Sequence, residues 1–232
     1  MNKKQKKARI AQIVEALKSI YPDPKCALEY NGDPWKLLVL GRLSAQCTDA
    51  RVNQIAPALF ARYPTAKDMA KAELPELEAY IKSCGLYKTK AKNLKDASAL
   101  LVEKYDGVLP DNIEELLLFP GVGRKIANLL LGDIFNKPAI VTDTHCIRIC
   151  GRFGMYPTTE KNPYKIERIL SDLIIPAEQS DFCHRIVLFG REYCMARSPR
   201  CGECPIRQLC NYYESQLKTK QTQAKKEKYE SN

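Results

Sequence analysis

The sequence predicts an all-α fold. Amphipathic helical patterns follow one another densely along the chain, turn and helix-stopping signals separate them, and no convincing run of alternating strand residues occurs. The 232 residues can bury a substantial core as one or two domains. A cysteine-rich stretch over 194–210 leaves little room for long elements of its own, so a helical body and a smaller cysteine-closed part suggest two lobes.

The first helix is expected over 10–19, with Ile10, Ile13, Val14, Leu17 and Ile20 on one face, and the segment YPDPKC breaks it. Helical patterns recur at 34–44, 50–62, 75–83, 88–105 and 111–118. Tyr63-Pro64, Cys84-Gly85 and Tyr105-Asp106-Gly107 punctuate them. At Leu109-Pro110-Asp111, Asp111 is the expected cap and Glu114 its reciprocal partner. Beyond Lys137-Pro138 a short extended piece leads into a helix at 144–150, and further helices are expected over 163–174 and 178–192. Residues 215–232 are polar and lysine-rich and read as a disordered basic tail.

Composition excludes some classes. The apolar stretches are far shorter than a membrane span, and the basic N-terminus lacks the apolar core and cleavage site of a secretory signal, so a cytoplasmic protein is expected. Ten cysteines in such a protein do not read as a disulfide framework. The net charge of +10 points to an anionic partner, but its distribution weakens the point. Residues 1–9 carry five positive charges and residues 215–232 a net of +3, leaving +2 for the body.

The segment CMARSPRCGECPIRQLC sets Cys194, Cys201, Cys204 and Cys210 at spacings C-x6-C-x2-C-x5-C. Four thiolates in so short a stretch can surround one metal centre. On donor chemistry alone, a zinc site and an iron–sulfur cluster stand level, with disulfides third. Both histidines, His145 and His184, lie outside the segment. Arg197 and Arg200 sit between the first two cysteines, where a pinned loop would offer them to a phosphate; plain solvated charges are the bland alternative.

LFPGVGRKIANLLL, residues 118–131, reads as the turn and second helix of a helix–hairpin–helix. Gly121 and Gly123 permit close backbone approach, and the free N–H groups of the following helix make a phosphate site. A tight turn between packed helices is the structural alternative. Lys125 lies on the first turn, where the helix dipole works against its charge. It has two readings: an ammonium that meets a phosphate, or an amine kept partly uncharged by the dipole, Arg124 and partial burial, and so able to attack a sugar carbon. Such an attack needs a carboxylate to stabilise oxocarbenium-like charge. Asp143, in VTDTH, is the candidate, and also a helix cap.

Taken together, FPGVGRKIAN, VTDTHCIR and the cysteine segment, with LSAQCTDARVN and YIKSCGLYKTKAKN upstream, resemble the endonuclease III family of helix–hairpin–helix DNA glycosylases. The likeness spans about residues 8–213. It implies a two-lobed fold, with a six-helix barrel domain over 27–137 and an iron–sulfur domain from 1–26 and 138–214. It also implies a [4Fe–4S] cluster on Cys194, Cys201, Cys204 and Cys210, replacing the zinc alternative. The implied substrate is double-stranded DNA carrying damaged bases or abasic sites, bound by a monomer across the cleft between the lobes. By motif position Lys125 attacks C1′ of the damaged nucleotide and Asp143 is its carboxylate partner. The implied activity is that of a bifunctional glycosylase and AP lyase of base excision repair. It removes oxidised pyrimidines and cuts 3′ to the abasic site by β-elimination through a Schiff base.

Further roles follow from the same resemblance. Gln46 enters the gap left by the flipped base and Leu86 is a wedge beside it; without the family both read as ordinary loop residues. Gly121, Val122, Gly123 and Arg124 face phosphate, Arg197 and Arg200 form a DNA-touching loop, and His145 orients polar groups or contacts the backbone, a buried structural histidine being the equal alternative. The sequence departs from the pattern at Phe119, in place of leucine, at Ile126, where threonine is common, and at Cys47, where a small residue such as alanine is common. Ile126 is expected to alter what surrounds the amine, and Cys47 to affect lesion preference. A monofunctional glycosylase of the same superfamily and a non-enzymatic DNA-binding iron–sulfur module are the alternatives. The lysine and the short chain argue against the first. A prokaryotic protein at the nucleoid is expected.

Overall fold

The computed structural model describes residues 3–230. In chain order its α-helices are α1 (Lys3–Ile20), α2 (Pro34–Leu43), α3 (Asp49–Arg62), α4 (Ala66–Ala70), α5 (Leu74–Ile81), α6 (Tyr87–Tyr105), α7 (Ile113–Leu116), α8 (Arg124–Asp133), α9 (Thr144–Arg152), α10 (Pro163–Leu173), α11 (Gln179–Glu192) and α12 (Asn211–Glu230). Among the described residues there is no strand, and no helix is long and apolar enough to cross a membrane. The chain divides into two compact units, Cys26–Val141 and the two segments outside it. The sequence put these junctions at 26/27 and 137/138; the second falls later because Ala139 and Ile140 are buried, and Ala139 belongs to the central core.

The central unit is built around two helices with few polar faces. In α2, Leu37, Leu38, Val39 and Leu40 are all buried, and in α8 every residue from Ile126 to Gly132 is buried. A helix apolar on nearly all sides belongs inside a core, and these two pack on each other where Ile126 meets α2 at Gly41. Ile126 therefore serves the core rather than the surroundings of the lysine amine. Phe119, another of the departures, is buried with its ring stacked 5.3 Å from that of Tyr105.

Local chemistry sets the helix starts. Asp33 accepts the Lys36 N–H at 3.1 Å ahead of Pro34, and Thr65 and Asp68 form a reciprocal capping box. At α7 the cap is Asn112, one residue later than expected, with its oxygen accepting the Glu115 N–H at 2.9 Å. Asp111 is drawn instead to Lys137, 2.6 Å away, a long-range partner that no local pattern announces.

In the other unit α1 begins at Lys3 rather than residue 10, because Lys, Gln and Arg extend a helix readily. Of its expected face, Ile10, Ile13, Val14 and Leu17 are buried, while Ile20, at the helix end, is only half-buried. The α1 end is tied to α11 by Arg185, which is 2% exposed and donates to Glu178 at 2.6 Å, Asp181 at 3.0 Å and the Tyr21 carbonyl at 3.1 Å. The C-terminal tail is helical through Glu230, where its composition predicts disorder; residues 231–232 lie outside the described residues. Low hydrophobicity denies the tail a core, but Lys, Gln and Glu favour the local helix, and Glu214 pairs with Lys218 one turn on at 2.6 Å.

Candidate functional site

The hairpin is held from beneath. Gly121 has φ +79°, the left-handed region that favours glycine, and a Cβ there would lie 2.4 Å from Arg42 Nε and 2.5 Å from the Asn93 amide. Arg42 in turn donates to the Asn93 amide oxygen at 3.1 and 2.9 Å. Val122 is buried and anchors the turn, whereas Gly121 and Gly123 are exposed. Gly123 precedes α8 and offers its first turn no side-chain cap. Arg124 is half-buried and Lys125 exposed, without the partial burial that one of its two readings invoked, and seven buried residues follow.

Two loops of the same unit carry Gln46 and Leu86. Both side chains are exposed, Leu86 to 57%, and both backbones are left-handed, at φ +54° and +48°. Such a conformation is costly for residues of this size and points to functional constraint. The described non-glycine residues with positive φ are otherwise Asn or Asp, which tolerate it, and Ser198 in the cysteine loop. Beneath the two loops lies Lys90, which is fully buried and donates to the carbonyls of Leu43 and Cys84, both at 2.8 Å. Burial lowers its ammonium below the usual lysine value.

In the other unit, α9 organises what the sequence set apart. Asp143 is its N-cap, with Oδ1 accepting the Cys146 N–H at 2.7 Å. Arg148 donates to the Cys194 carbonyl at 3.2 and 3.0 Å. At the helix end, Arg152 donates to Cys194 Sγ at 3.2 Å and to the Met195 and Ala196 carbonyls at 2.7 and 3.0 Å. The half-buried His145 lies against α11, where a Cβ on Gly190 would come within 2.4 Å of its Nδ1. His145 also stands beside Arg148, whose Nη2 is 3.3 Å from its Nδ1.

Cys194, Cys201, Cys204 and Cys210 line one small cavity with aromatic walls from Phe153, Phe189 and neighbouring tyrosines. None is in a disulfide. A donor set of thiols alone, half-buried and walled by apolar rings, fits a thiophilic metal centre, and the arginine N–H aimed at Cys194 sulfur suits an anionic cluster. Arg197 and Arg200 are both exposed, Arg200 pairing with Glu203 and lying over the ring of Tyr193.

Residues 42–176 match the HhH-GPD superfamily of base excision DNA repair proteins, and residues 194–210 match the iron–sulfur binding domain of endonuclease III. An endonuclease III of Synechocystis sp. is 45% identical over 206 residues, covering 88% of this chain and 93% of its own. The chain belongs to the endonuclease III family. Two solved structures superpose with TM-scores of 0.86 at 38% identity, each over 91% of this chain and 98% of the other: a non-covalent endonuclease III–DNA complex and a trapped endonuclease III–DNA covalent intermediate. This endonuclease III-family protein is thus a bifunctional DNA glycosylase and AP lyase of base excision repair, with DNA as substrate and a [4Fe–4S] cluster as cofactor.

Several supporting residues escaped the sequence reading. Lys90, Arg42, Arg152 and Gly190 act on residues far away in sequence, and nothing local marks them. Asn128 was legible in principle, as a polar residue inside an apolar run. It is buried and donates to the Ile140 carbonyl at 2.9 Å, fixing the segment that leads toward Asp143.

Proposed function

We propose that Lys125 is the nucleophile and Asp143 its carboxylate partner in a glycosylase acting on oxidised pyrimidines, such as thymine glycol, and on abasic sites in double-stranded DNA. The damaged nucleotide leaves the stack, at a cost of roughly a few kcal/mol. Lys125 Nζ bonds to C1′ as the base departs with a proton from the amine; the C1′–O4′ bond then breaks, O4′ taking the remaining nitrogen proton, and an open-chain imine is left. Removal of a 2′ proton then expels the 3′ phosphate, and hydrolysis of the imine frees the lysine. Asp143 stabilises the positive charge that develops on the sugar. Gln46 and Leu86 fill the space left in the duplex. Gly121, Val122, Gly123 and Arg124 meet phosphate, and Arg197 and Arg200 touch DNA from the cysteine loop.

The observation that carries this reading is the placement of Lys125: an exposed amine at the start of α8, directly after the hairpin, on a helix buried from Ile126 to Gly132. A lysine needed only for solubility has no reason to stand there. Cys194, Cys201, Cys204 and Cys210 hold the cluster, which cross-links the loop through four Fe–S bonds when bound. The protein works as a monomer in the cytoplasm.

Borohydride trapping on a duplex with one abasic site tests the assignment. Wild type is expected to give a covalent adduct, Lys125→Ala none, and Asp143→Asn an adduct formed roughly 10²–10⁴-fold more slowly. An undiminished adduct from Lys125→Ala would remove the lysine from its role.

A further inference from the structure

Lys90 lies at the start of α6 with its side chain fully buried. Its ammonium donates to two backbone carbonyls, those of Leu43 and Cys84, both at 2.8 Å. Among the described residues its partners are carbonyls alone, and the Arg42 guanidinium repels it. Methionine would fill the same space without the desolvation of a charge, so packing alone does not account for a lysine here.

The positions of the two carbonyls account for it. Leu43 ends α2, where the last carbonyls lack helical partners, and Cys84 ends the short 3₁₀ turn Lys82–Cys84. Gln46 follows the first carbonyl by three residues, and Leu86 follows the second by two. Neither connection has slack. The Cys47 N–H donates back to the Ser44 carbonyl at 3.1 Å, and the Leu86 carbonyl accepts the Lys90 N–H at 3.0 Å. One ammonium therefore holds the roots of both left-handed loop residues. Three residues further along α6, Asn93 accepts from Arg42, the neighbour of Leu43, at 3.1 and 2.9 Å, under the hairpin at Gly121.

We propose that Lys90 is a positioning residue for lesion extrusion: by bonding both loop roots it holds Gln46 and Leu86 at one spacing, so that the two side chains enter the duplex as a unit. The inference rests on the reading of Gln46 and Leu86 as the residues that enter the DNA. Loops released from this tie sample other arrangements, and lesion affinity falls in proportion to the fraction that stays competent. The Arg42–Asn93 bond does not involve Lys90, so a change at the lysine leaves the hairpin supported and the affinity for undamaged duplex in place.

The test compares cluster-loaded, full-length wild type with Lys90→Met, which keeps the length without a donor, and Lys90→Gln, which keeps an amide donor. The probe is a duplex carrying a tetrahydrofuran abasic analogue with 2-aminopurine opposite it, beside the same duplex undamaged. Circular dichroism and cluster absorbance report folding. In Lys90→Met, affinity for the analogue duplex should fall by about tenfold, the loss expected when about a tenth of the loop population stays competent. The 2-aminopurine fluorescence change on binding should shrink with it, and Lys90→Gln should lose less. Affinity for undamaged duplex should stay within about twofold. A double-mutant cycle separates positioning from stability. In the wild-type background, Gln46→Ala and Leu86→Ala should together lose less than the product of their separate losses; in the Lys90→Met background the losses should multiply. Equal losses on both duplexes would overturn the proposal, as would coupling that survives in Lys90→Met or losses that already multiply in the wild-type background. Unfolding of both Lys90 variants would also overturn it, leaving the lysine a determinant of the fold alone. Normal analogue binding by both Gln46→Ala and Leu86→Ala would instead sink the reading of those two residues.

Discussion

At the scale of single residues, the hairpin glycines make opposite predictions although one residue separates them. Gly121→Ala places a Cβ in a left-handed backbone and against Arg42 and Asn93. The conformation alone costs about 1–2 kcal/mol. Gly123 has φ −100° and open space around it, so Gly123→Ala should change stability by no more than about 0.5 kcal/mol. Thermal unfolding of the two variants, read beside a binding assay on abasic DNA, checks this. Equal melting temperatures would show that Gly121 is not held as described.

At the scale of elements, α9 joins the carboxylate to the cysteine loop, with Asp143 at one end and Arg152 at the other. Cap and chemistry can be separated there. Asp143→Asn keeps an oxygen for the Cys146 N–H and should leave stability nearly intact while strand cleavage falls. Asp143→Ala loses the cap as well, about 0.5–2 kcal/mol. Melting temperatures and cleavage rates measured on both variants decide it; equal losses of stability would mean the cap contributes nothing. Arg152→Met removes the N–H directed at Cys194 sulfur and the bonds to two loop carbonyls. The cluster should then be lost faster under air, followed by its visible absorption.

On the scale of the whole molecule, charge sets two dependences. Glu178 lies between Lys18 and Arg185, and its hydrogen bonds to them hold its carboxyl below the usual value. A depressed carboxyl contributes stability that is full above its unfolded value, about 4.3. That contribution disappears as the pH falls through the lower folded value. Acid unfolding followed by circular dichroism should therefore lose part of its steepness below pH ~4 in Glu178→Gln. The second dependence comes from the tail. Residues 215–232 carry a net of +3. Removing them should flatten the slope of log K against log salt by up to about 2–3. An unchanged slope would place the tail away from the DNA.

By itself the sequence determined what depends on neighbours within a turn or two. The helical series, the hairpin, the cysteine spacing and the cap at Asp143 all follow from local periodicity, backbone permissiveness and ligand chemistry. Contacts between residues distant along the chain were decided only by the tertiary structure. Asp111 gave up its cap for Lys137, and Lys90 was buried under two loops. Ile126 turned to the core, and His145 found its place against Gly190. The tail shows the boundary from the other side: its composition reads as disordered, yet its residues favour a local helix and form one. A residue's periodicity says which side of a helix it occupies; only packing says what meets it there.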